Sequence, residues 1–360
     1  MDMGDRRAFL RAVGLSVISA AALRAGTIEA ATTPPRRKLV IRVDDVGHSK
    51  VHNIGTFEAI DAGMVSSADV MLDSPGTNDA LERLKAYPWL SLGWHMHMWG
   101  TPVLPAARVP SLIEKSGEFA GRFRTDLATA GDIVYEEAAA ELRAQLLHCA
   151  RILGRLPDTG KLGSETPWGR AITAVNDEAG IVAGYATVQA TGDKVQAKIR
   201  AARAAGQEWA RYYPTDGKPE VKPLARWVDR KILQLDGQTA YIDVLTDSET
   251  ELELHYDPVL YYTQDRAGIL KLPADVISVQ AWHPGYVDYY VYRLGERVNR
   301  ARARQFTVNR TQDVAALRDP RLHDWIRANG IELVNQRDAL FGTREFQNHL
   351  RAIGSDLAFV

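Results

Sequence analysis

The chain has 360 residues, of which 46% are hydrophobic and 25% charged, and its formal net charge is -1. This is the composition of an ordinary globular protein, and the near-zero charge excludes a global electrostatic attraction to nucleic acid or to an anionic membrane. The single cysteine, Cys149, excludes an intrachain disulfide, so the fold needs no oxidising compartment.

The N-terminal segment has the pattern of a removable export signal. The pair Arg6-Arg7 precedes the apolar run Ala12–Leu23, and small residues follow at Ala30-Ala31. The run is too short for a comfortable membrane span, and paired arginines are typical of the twin-arginine export route. We therefore expect a signal peptide over residues 1–31, a linker over 32–37, and a periplasmic or secreted mature protein with no stable membrane span. An ordinary basic, amphipathic first helix is the alternative.

From Lys38 onward, short apolar runs alternate with segments of helical periodicity, which indicates a parallel sheet with crossover helices. In chain order the pattern predicts a strand at Lys38–Val43, a helix at Asn53–Ala62, a strand at Ser66–Leu72, a helix at Thr77–Ala86, a strand at Leu90–His95, a long polar loop from Gly100 to Gly131 and a helix at Tyr135–Leu153. It continues with a strand at Lys161–Gly163, a helix at Gly169–Ala179, a strand at Ile181–Ala186, a basic and partly helical stretch at Asp193–Asp236, strands at Gln238–Leu245 and Val276–Trp282, a helix at Asp313–Ala328, a strand at Ile331–Val334 and closing helices from Gln336.

Acidic and histidine side chains stand at the carboxyl ends of three predicted strands. Asp44-Asp45 follow the first strand, His95-Met96-His97 end the third, and His283 follows the late strand. In a barrel of parallel strands, this edge carries the active site. One carboxylate of an adjacent pair can bind a metal while the other acts as a base, and imidazole is a common ligand of catalytic metals. Taken singly, each motif also fits a structural role, such as a helix-capping turn or a buried histidine.

Two further features of these motifs shape the expected site. Alternate residues of a strand point to the same side, so His95 and His97 would both face the barrel mouth if the strand persists that far. The turn His283-Pro284-Gly285-Tyr286-Val287-Asp288 presents its histidine to the same edge. Asp288 is placed to orient that imidazole and raise its pKa, as a proton donor requires. A turn that merely uses Pro and Gly is the alternative.

Several of these motifs together resemble the YdjC-like (ChbG/HpnK) carbohydrate deacetylases. The family's motifs are matched in order by Val43-Asp44-Asp45-Val46-Gly47, by Leu92-Gly93-Trp94-His95, by the turn that begins at His283 and by the closing segment from Gly330. The resemblance spans roughly Lys38 to Leu340. It implies an irregular (β/α) TIM-like barrel over residues 38–345, a single domain with a long insertion at about 193–275 before the late histidine strand, and a C-terminal tail over 346–360.

The resemblance also implies an activity, the hydrolysis of N-acetyl groups on an amino sugar in an oligo- or polysaccharide. By that resemblance Asp45 and His95 are metal ligands, Asp44 is the general base and His283 the general acid. The metal would activate water and polarise the acetyl carbonyl. Asp44 would accept the proton of the water, and His283 would protonate the leaving amine.

The sequence departs from the family at one ligand position. The family carries an Asp-Ser-His-His type motif after its fourth strand, whereas here Gly163 replaces the Asp, Ser164 aligns, and Glu165 replaces the first histidine. We therefore expect Glu165 to be the third metal ligand. A set with two carboxylates shifts the preference toward Mg²⁺, with Mn²⁺ or Zn²⁺ as alternatives. His97, at a position where the family usually has no histidine, is the competing third ligand.

Side chains around these motifs are candidate sugar contacts. Aromatic faces suit the apolar side of a pyranose ring, although large aromatic residues are also ordinary barrel packing. The candidate substrate-contacting residues are His97, Trp99, Trp168, Tyr286 and Asp288. Two other functions are open: a barrel hydrolase redirected to another carbohydrate bond, and a non-catalytic carbohydrate-binding protein. The departure at Glu165 favours both, whereas retention of the remaining site residues argues against the second.

Overall fold

The computed structural model describes residues 36–183, 200–208, 211, 231–235, 256–274, 276–298 and 303–359. The predicted signal peptide, most of the predicted linker, most of the predicted insertion and the strand predicted at Gln238–Leu245 lie outside the described residues. Within these ranges no helix is both long enough and apolar enough to cross a membrane. All described residues belong to one unit, Pro35–Val360.

A parallel sheet is the central element of the fold. Its strands are β1 (Lys38–Val46), β2 (Ser67–Val70), β3 (Ser91–Trp94), β4 (Thr159–Gly160), β5 (Val182–Ala183), β6 (Lys231–Leu235), β7 (Val276–Trp282) and β8 (Glu332–Leu333). The strand order is β5-β4-β3-β2-β1-β7-β6, and β8 pairs with β1 outside this path. Every pair is parallel. The predicted parallel α/β sheet is thus confirmed, but the described strands do not close it into a barrel.

The two longest strands lie side by side in the middle of the sheet. All seven residues of β7 are buried, and β1 is buried from Leu39 to Val46. Strands of a parallel sheet are covered on both faces, which is why these segments are continuous apolar runs rather than alternating ones. The carboxyl ends of parallel strands meet at one edge, so the acids after β1 and the histidine after β7 are neighbours.

Helices cover the sheet and begin at side-chain caps in most cases. They are α1 (Lys50–Asp61), α2 (Thr77–Leu84), α3 (Tyr135–Leu153), α4 (Pro167–Ala179), α5 (Pro258–Thr263), α6 (Tyr289–Val298), α7 (Ala303–Leu317), α8 (Pro320–Ala328), α9 (Gln336–Phe341) and α10 (Glu345–Ala352). The Ser49 side chain accepts a bond from His52 N at the start of α1. Asn335 and Asp338 form a reciprocal capping box at the start of α9.

The helix predicted at Asp313–Ala328 is two helices instead. Helix α7 ends at Leu317, and α8 begins at Pro320, with the Asp319 side chain accepting a bond from Arg321 N. Proline lacks the N–H that a continuing helix needs and clashes with the preceding turn, whereas it fits the first turn of a new helix. The single periodic run in the sequence concealed this break.

Three other elements differ from the prediction. Strand β4 lies at Thr159–Gly160 rather than at Lys161–Gly163, because backbone and side-chain bonds between Asp158 and Leu92 set its register. Strand β6 lies inside the stretch predicted as basic and partly helical. The segment predicted as a C-terminal tail contains α10, whose Phe346 and Leu350 are fully buried.

Candidate metal centre

The chain is irregular where the two consecutive acids follow the apolar part of β1. Asp45 has φ +60°, and the β1–β2 register shifts between Val43 and Val46. The left-handed region costs a non-glycine residue about 1–2 kcal/mol, and aspartate is among the residues that tolerate it. The irregularity gives the adjacent carboxylates different partners, since Asp44 contacts Arg42 and Asp45 contacts Arg310.

Asp45, His95 and His97 bring three ligand-type atoms together. His95 Nε2 lies 2.9 Å from Asp45 Oδ1, and His97 Nε2 lies 4.0 Å from the same oxygen. One donor atom from each residue falls within 4.8 Å of the other two. The strand does not persist to His97, the condition for strand alternation to align the two rings: β3 ends at Trp94, and His97 N donates to the His95 carbonyl. A tight turn, rather than strand alternation, therefore places both rings near Asp45.

This donor set fits a divalent metal ion. Asp45 Oδ1 and His95 Nε2 are buried and face each other at 2.9 Å in poor hydrogen-bond geometry, and neither atom has another hydrogen-bond partner among the described residues. A cation held between the two atoms would satisfy both. One carboxylate and two imidazoles are a donor set typical of catalytic zinc sites, which leave a further position open. The side chain of His97 is 38% exposed, so the site has an open side.

Arg310 sets the charge state of Asp45. Its Nη2 lies 2.5 Å from Asp45 Oδ2, and both side chains are 1% exposed. Burial alone raises the pKa of Asp45, but the guanidinium of Arg310, with help from His95, outweighs it and holds that pKa well below its usual range. Burial lowers the pKa of His95, but the nearby carboxylates of Asp45 and Asp44 outweigh it and raise that pKa. Asp45 is therefore an ionised carboxylate, as a metal ligand must be.

Asp44, the predicted base, lies beside the predicted acid. Arg42 Nε donates to Asp44 Oδ1 at 2.6 Å, and Arg42 Nη2 donates to Oδ2 at 2.8 Å. His283 Nε2 lies 3.9 Å from Asp44 Oδ2. Burial opposes ionisation of Asp44, but the Arg42 guanidinium and the His95 imidazole lower its pKa overall. The structure thus brings the two predicted proton-transfer groups together and keeps Asp44 ionised.

Asp69 is a site residue that the sequence motifs did not reveal. Its Oδ2 lies 3.4 Å from Arg42 Nε and 3.9 Å from His95 Nδ1. Asp69 pairs with Gly93 across β2 and β3, and a Cβ at position 93 would lie 2.0 Å from Asp69 Oδ1. Glycine at position 93 therefore makes room for this carboxylate. The available signal was an acid inside a short apolar strand, opposite a glycine.

The turn that carries His283 is held from two directions. His283 N donates to Asp313 Oδ2 of α7 at 2.8 Å, and Thr56 Oγ1 of α1 donates to the Pro284 carbonyl at 2.6 Å. A Cβ on Gly285 would lie 2.2 Å from the His52 ring, so only glycine allows α1 to approach this closely. Contacts of this turn with α1 and α7 therefore fix the position of His283.

The other residues that the sequence predicted for the site have different surroundings. Glu165 is exposed in the loop before α4. Two groups of described residues could hold a metal ion, and neither includes Glu165: one is Asp45, His95 and His97, and the other is Asp44, Asp69 and His95. Trp168 is 4% exposed and belongs to the hydrophobic core. Tyr286 donates its hydroxyl to Glu58 at 2.7 Å. Asp288 accepts a bond from Val291 N and so caps α6.

A cavity of about 350 Å³ opens beside the two histidines. It lies at the carboxyl ends of β3 and β4, where Lys161 and Leu162 form part of its wall. Trp99 stands close by, with its ring stacked on His97 at a centroid distance of 4.1 Å. The cavity wall also includes Arg42, Asp69, His95, His97 and Gln336. Most of its wall is apolar, and the charged and polar side chains lie beside the histidines, which suits a small ligand with both apolar and polar faces.

The part of the chain that contains most of these residues is similar to a known protein family. The family described as YdjC-like protein matches residues 38–159. Residues 38–159, called the YdjC-like part below, are therefore similar to that family, and the predicted resemblance is confirmed there. The YdjC-like part contains Asp44, Asp45, His95 and His97, whereas Glu165 and His283 lie beyond it.

Relatives of the YdjC-like part carry a common name. Chitooligosaccharide deacetylases from Serratia marcescens and from Yersinia pestis (strain Pestoides F) are each 34% identical to this chain over 119 residues. The alignments cover 33% of this chain and 46% of each relative, so the chain spans about half the length of the curated relatives it matches.

One solved structure is similar over most of the chain. It is the crystal structure of a "putative cellobiose-phosphate cleavage protein" from Enterococcus faecalis V583, with a TM-score of 0.50 and 19% sequence identity. The superposition covers 85% of this chain and 99% of that chain. At this identity the likeness shows a shared fold.

Proposed function

We propose that this chain is a metal-dependent carbohydrate deacetylase that removes N-acetyl groups from an amino sugar in an oligo- or polysaccharide. The observation that carries the proposal is the convergence of Asp45, His95 and His97 beside the pair formed by Asp44 and His283. The relatives of the YdjC-like part are named chitooligosaccharide deacetylases, which makes N-acetylated chitooligosaccharides the first substrate class to test.

In the proposed site Asp45, His95 and His97 hold the metal. A bound divalent cation would supply Lewis acidity toward the acetyl carbonyl and toward water. Two imidazoles with one carboxylate match Zn²⁺ better than Mg²⁺, which prefers oxygen ligands. The sequence-based preference for Mg²⁺ depended on Glu165 as a second carboxylate ligand.

Asp44 and His283 divide the proton transfers between them. A carboxylate offers about four lone-pair positions, so the two bonds from Arg42 leave Asp44 able to accept a proton from the attacking water. His283 protonates the leaving nitrogen, because an amide nitrogen is a poor leaving group until it is protonated. The distance of 3.9 Å between His283 Nε2 and Asp44 Oδ2 supports this division, because two neighbouring groups can both reach one scissile bond.

The cavity beside His95 and His97 is the proposed place of the sugar. Its volume of about 350 Å³ is at the lower end of ordinary small-molecule sites, which span about 300–1,000 Å³. We assign contacts with sugar hydroxyls to Lys161 and Gln336, because both side chains are polar and both residues line this cavity. The stacked pair of Trp99 and His97 offers an aromatic face beside it.

The test is acetate release from N-acetylated chitooligosaccharides by the purified mature protein loaded with Zn²⁺. Asp44→Asn should lower turnover by about two to four orders of magnitude, the usual contribution of a general base, with normal metal content. His283→Ala should do the same. Asp126→Asn, which changes an exposed carboxylate outside the site, is the matched control.

The outcomes separate the three functions. Unchanged turnover in Asp44→Asn or His283→Ala would remove that residue from the mechanism. Hydrolysis of another carbohydrate bond, without acetate release, would support a redirected hydrolase. Sugar binding without any hydrolysis would support a carbohydrate-binding protein.

The wider architecture and the location are also proposed. We infer that the parallel sheet belongs to an irregular (β/α) barrel over residues 38–345. The similar fold of the Enterococcus faecalis protein supports a common architecture. Residues 1–31 are proposed as a twin-arginine signal, supported by Arg6-Arg7 and the short apolar run that follows.

A further inference from the structure

We propose that Arg310 is a positioning residue that presents one oxygen of Asp45 to the metal and ties Asp45 to the turn carrying His283. The inference rests on the proposed function, because it takes Asp45 as a metal ligand. Arg310 lies in α7, far from the YdjC-like part of the sequence, and is 1% exposed. Nothing in its local sequence marks it as part of the site.

The first contact fixes the orientation of the Asp45 carboxylate. Arg310 Nη2 donates to Oδ2 at 2.5 Å, whereas Oδ1 faces His95 Nε2 at 2.9 Å and His97 Nε2 at 4.0 Å. One oxygen is therefore held by the guanidinium and the other is turned toward the two imidazoles. This arrangement prepares Asp45 to bind a metal through Oδ1 alone.

The second contact starts a chain of hydrogen bonds with defined proton positions. Arg310 Nη1 lies 3.1 Å from His52 Nε2, and since a guanidinium only donates, that nitrogen must accept. The proton of His52 is then on Nδ1, which faces Thr56 Oγ1 at 3.3 Å. The Thr56 hydroxyl in turn donates to the Pro284 carbonyl at 2.6 Å. Burial, with Arg310 nearby, lowers the pKa of His52 well below its usual value, consistent with a neutral ring.

The backbone of α7 holds the same turn. Gly285 N donates to the Arg310 carbonyl at 3.2 Å, and Asp313, one turn further along α7, accepts the bond from His283 N at 2.8 Å. Arg310 therefore contacts the metal half of the proposed site through its side chain. It contacts the acid half through its carbonyl and through His52 and Thr56.

Two effects of Arg310 on metal affinity have opposite signs, which makes the proposal testable. A positive charge near the cation disfavours metal binding, so an arginine acting only as a counter-ion weakens it. An arginine that orients a ligand strengthens binding, and loss of such partners commonly lowers metal affinity about 10–100-fold. Positioning therefore predicts weaker binding after Arg310 is replaced.

The experiment is calorimetric titration of the metal-free protein with Zn²⁺. Arg310→Met should weaken binding about 10–100-fold, and Arg310→Lys, which keeps the charge but cannot hold Asp45 and His52 together, should fall between. Arg318→Met is the matched control, because Arg318 follows α7 and pairs with exposed Glu58. Its affinity should equal that of the wild type.

The outcomes distinguish this inference from the proposed function. Unchanged or tighter Zn²⁺ binding in both Arg310 variants, with a normal wild type, would overturn the positioning role and leave the deacetylase proposal intact. A wild type that binds no divalent metal would overturn both. Nitrogen NMR of wild-type His52 needs no variant: a ring protonated on Nδ1 supports the proposed chain of bonds, and a ring protonated on Nε2 contradicts it.

Discussion

The identity of the third metal ligand is the sharpest prediction of this structure. The sequence favours Glu165, whereas the structure groups His97 with Asp45 and His95. We compare His97→Ala with Glu165→Ala. Four-ligand structural zinc sites bind with about 10–16 kcal/mol, which is about 3 kcal/mol for each ligand if the ligands contribute equally. At about 1.4 kcal/mol for each factor of ten, loss of one imidazole should weaken binding about 100-fold.

The structure adjusts this magnitude downward. Because the His97 side chain is 38% exposed, water can take its place at the metal and recover part of the lost interaction. We therefore expect His97→Ala to weaken Zn²⁺ binding between about tenfold and 100-fold. Glu165→Ala removes an exposed side chain outside the group and should leave the affinity unchanged.

Competition of Zn²⁺ against a chromogenic chelator measures both affinities, and repeating it with Mg²⁺ and Mn²⁺ tests the metal preference. Steep loss of affinity in Glu165→Ala with little change in His97→Ala would refute the argument from proximity. It would restore the set of Asp45, His95 and Glu165. Activation by Mg²⁺ equal to that by Zn²⁺ would point the same way.

The remaining predictions concern export and stability. Replacing Arg6 and Arg7 together by lysine should trap the precursor in the cytoplasm, as fractionation would show, and normal export would contradict a twin-arginine signal. Phe346→Ala should lower the free energy of unfolding by about 3–5 kcal/mol in urea titration, because Phe346 is fully buried. The exposed neighbour Ile353→Ala should change it by about 0.5 kcal/mol at most. Gly93→Ala should cost about 1–3 kcal/mol, since its Cβ would meet Asp69 at 2.0 Å, whereas Gly131→Ala, with open space around it, should not.

Local patterning was enough to predict the strongly periodic elements. Helix α3 and strand β7 have the predicted boundaries, because a long amphipathic run and a continuous apolar run each carry their own signal. The sequence also predicted that Asp44, Asp45, His95 and His283 would gather at one edge. That inference needed only the parallel direction of the strands, which brings their carboxyl ends together.

The sequence did not predict the boundaries of the weaker elements, because contacts with distant residues determine where these elements begin and end. Strand β4 has two residues, and its register follows from the bonds between Asp158 and Leu92. The break between α7 and α8 was hidden in a run whose apolar spacing suited a single helix. Short segments such as these carry little periodic signal, so tertiary packing overrides it.

Only the tertiary structure determines which residues surround the candidate metal centre. Asp45 meets a guanidinium 265 residues away, and Asp69 fits against β3 because its cross-strand neighbour is Gly93. His97 approaches Asp45 through a turn that strand alternation did not foresee. The sequence indicates which side chains have the chemistry of ligands, bases and acids, since that is a property of single residues. Which of them converge within bonding distance depends on long-range packing, and no local pattern encodes it.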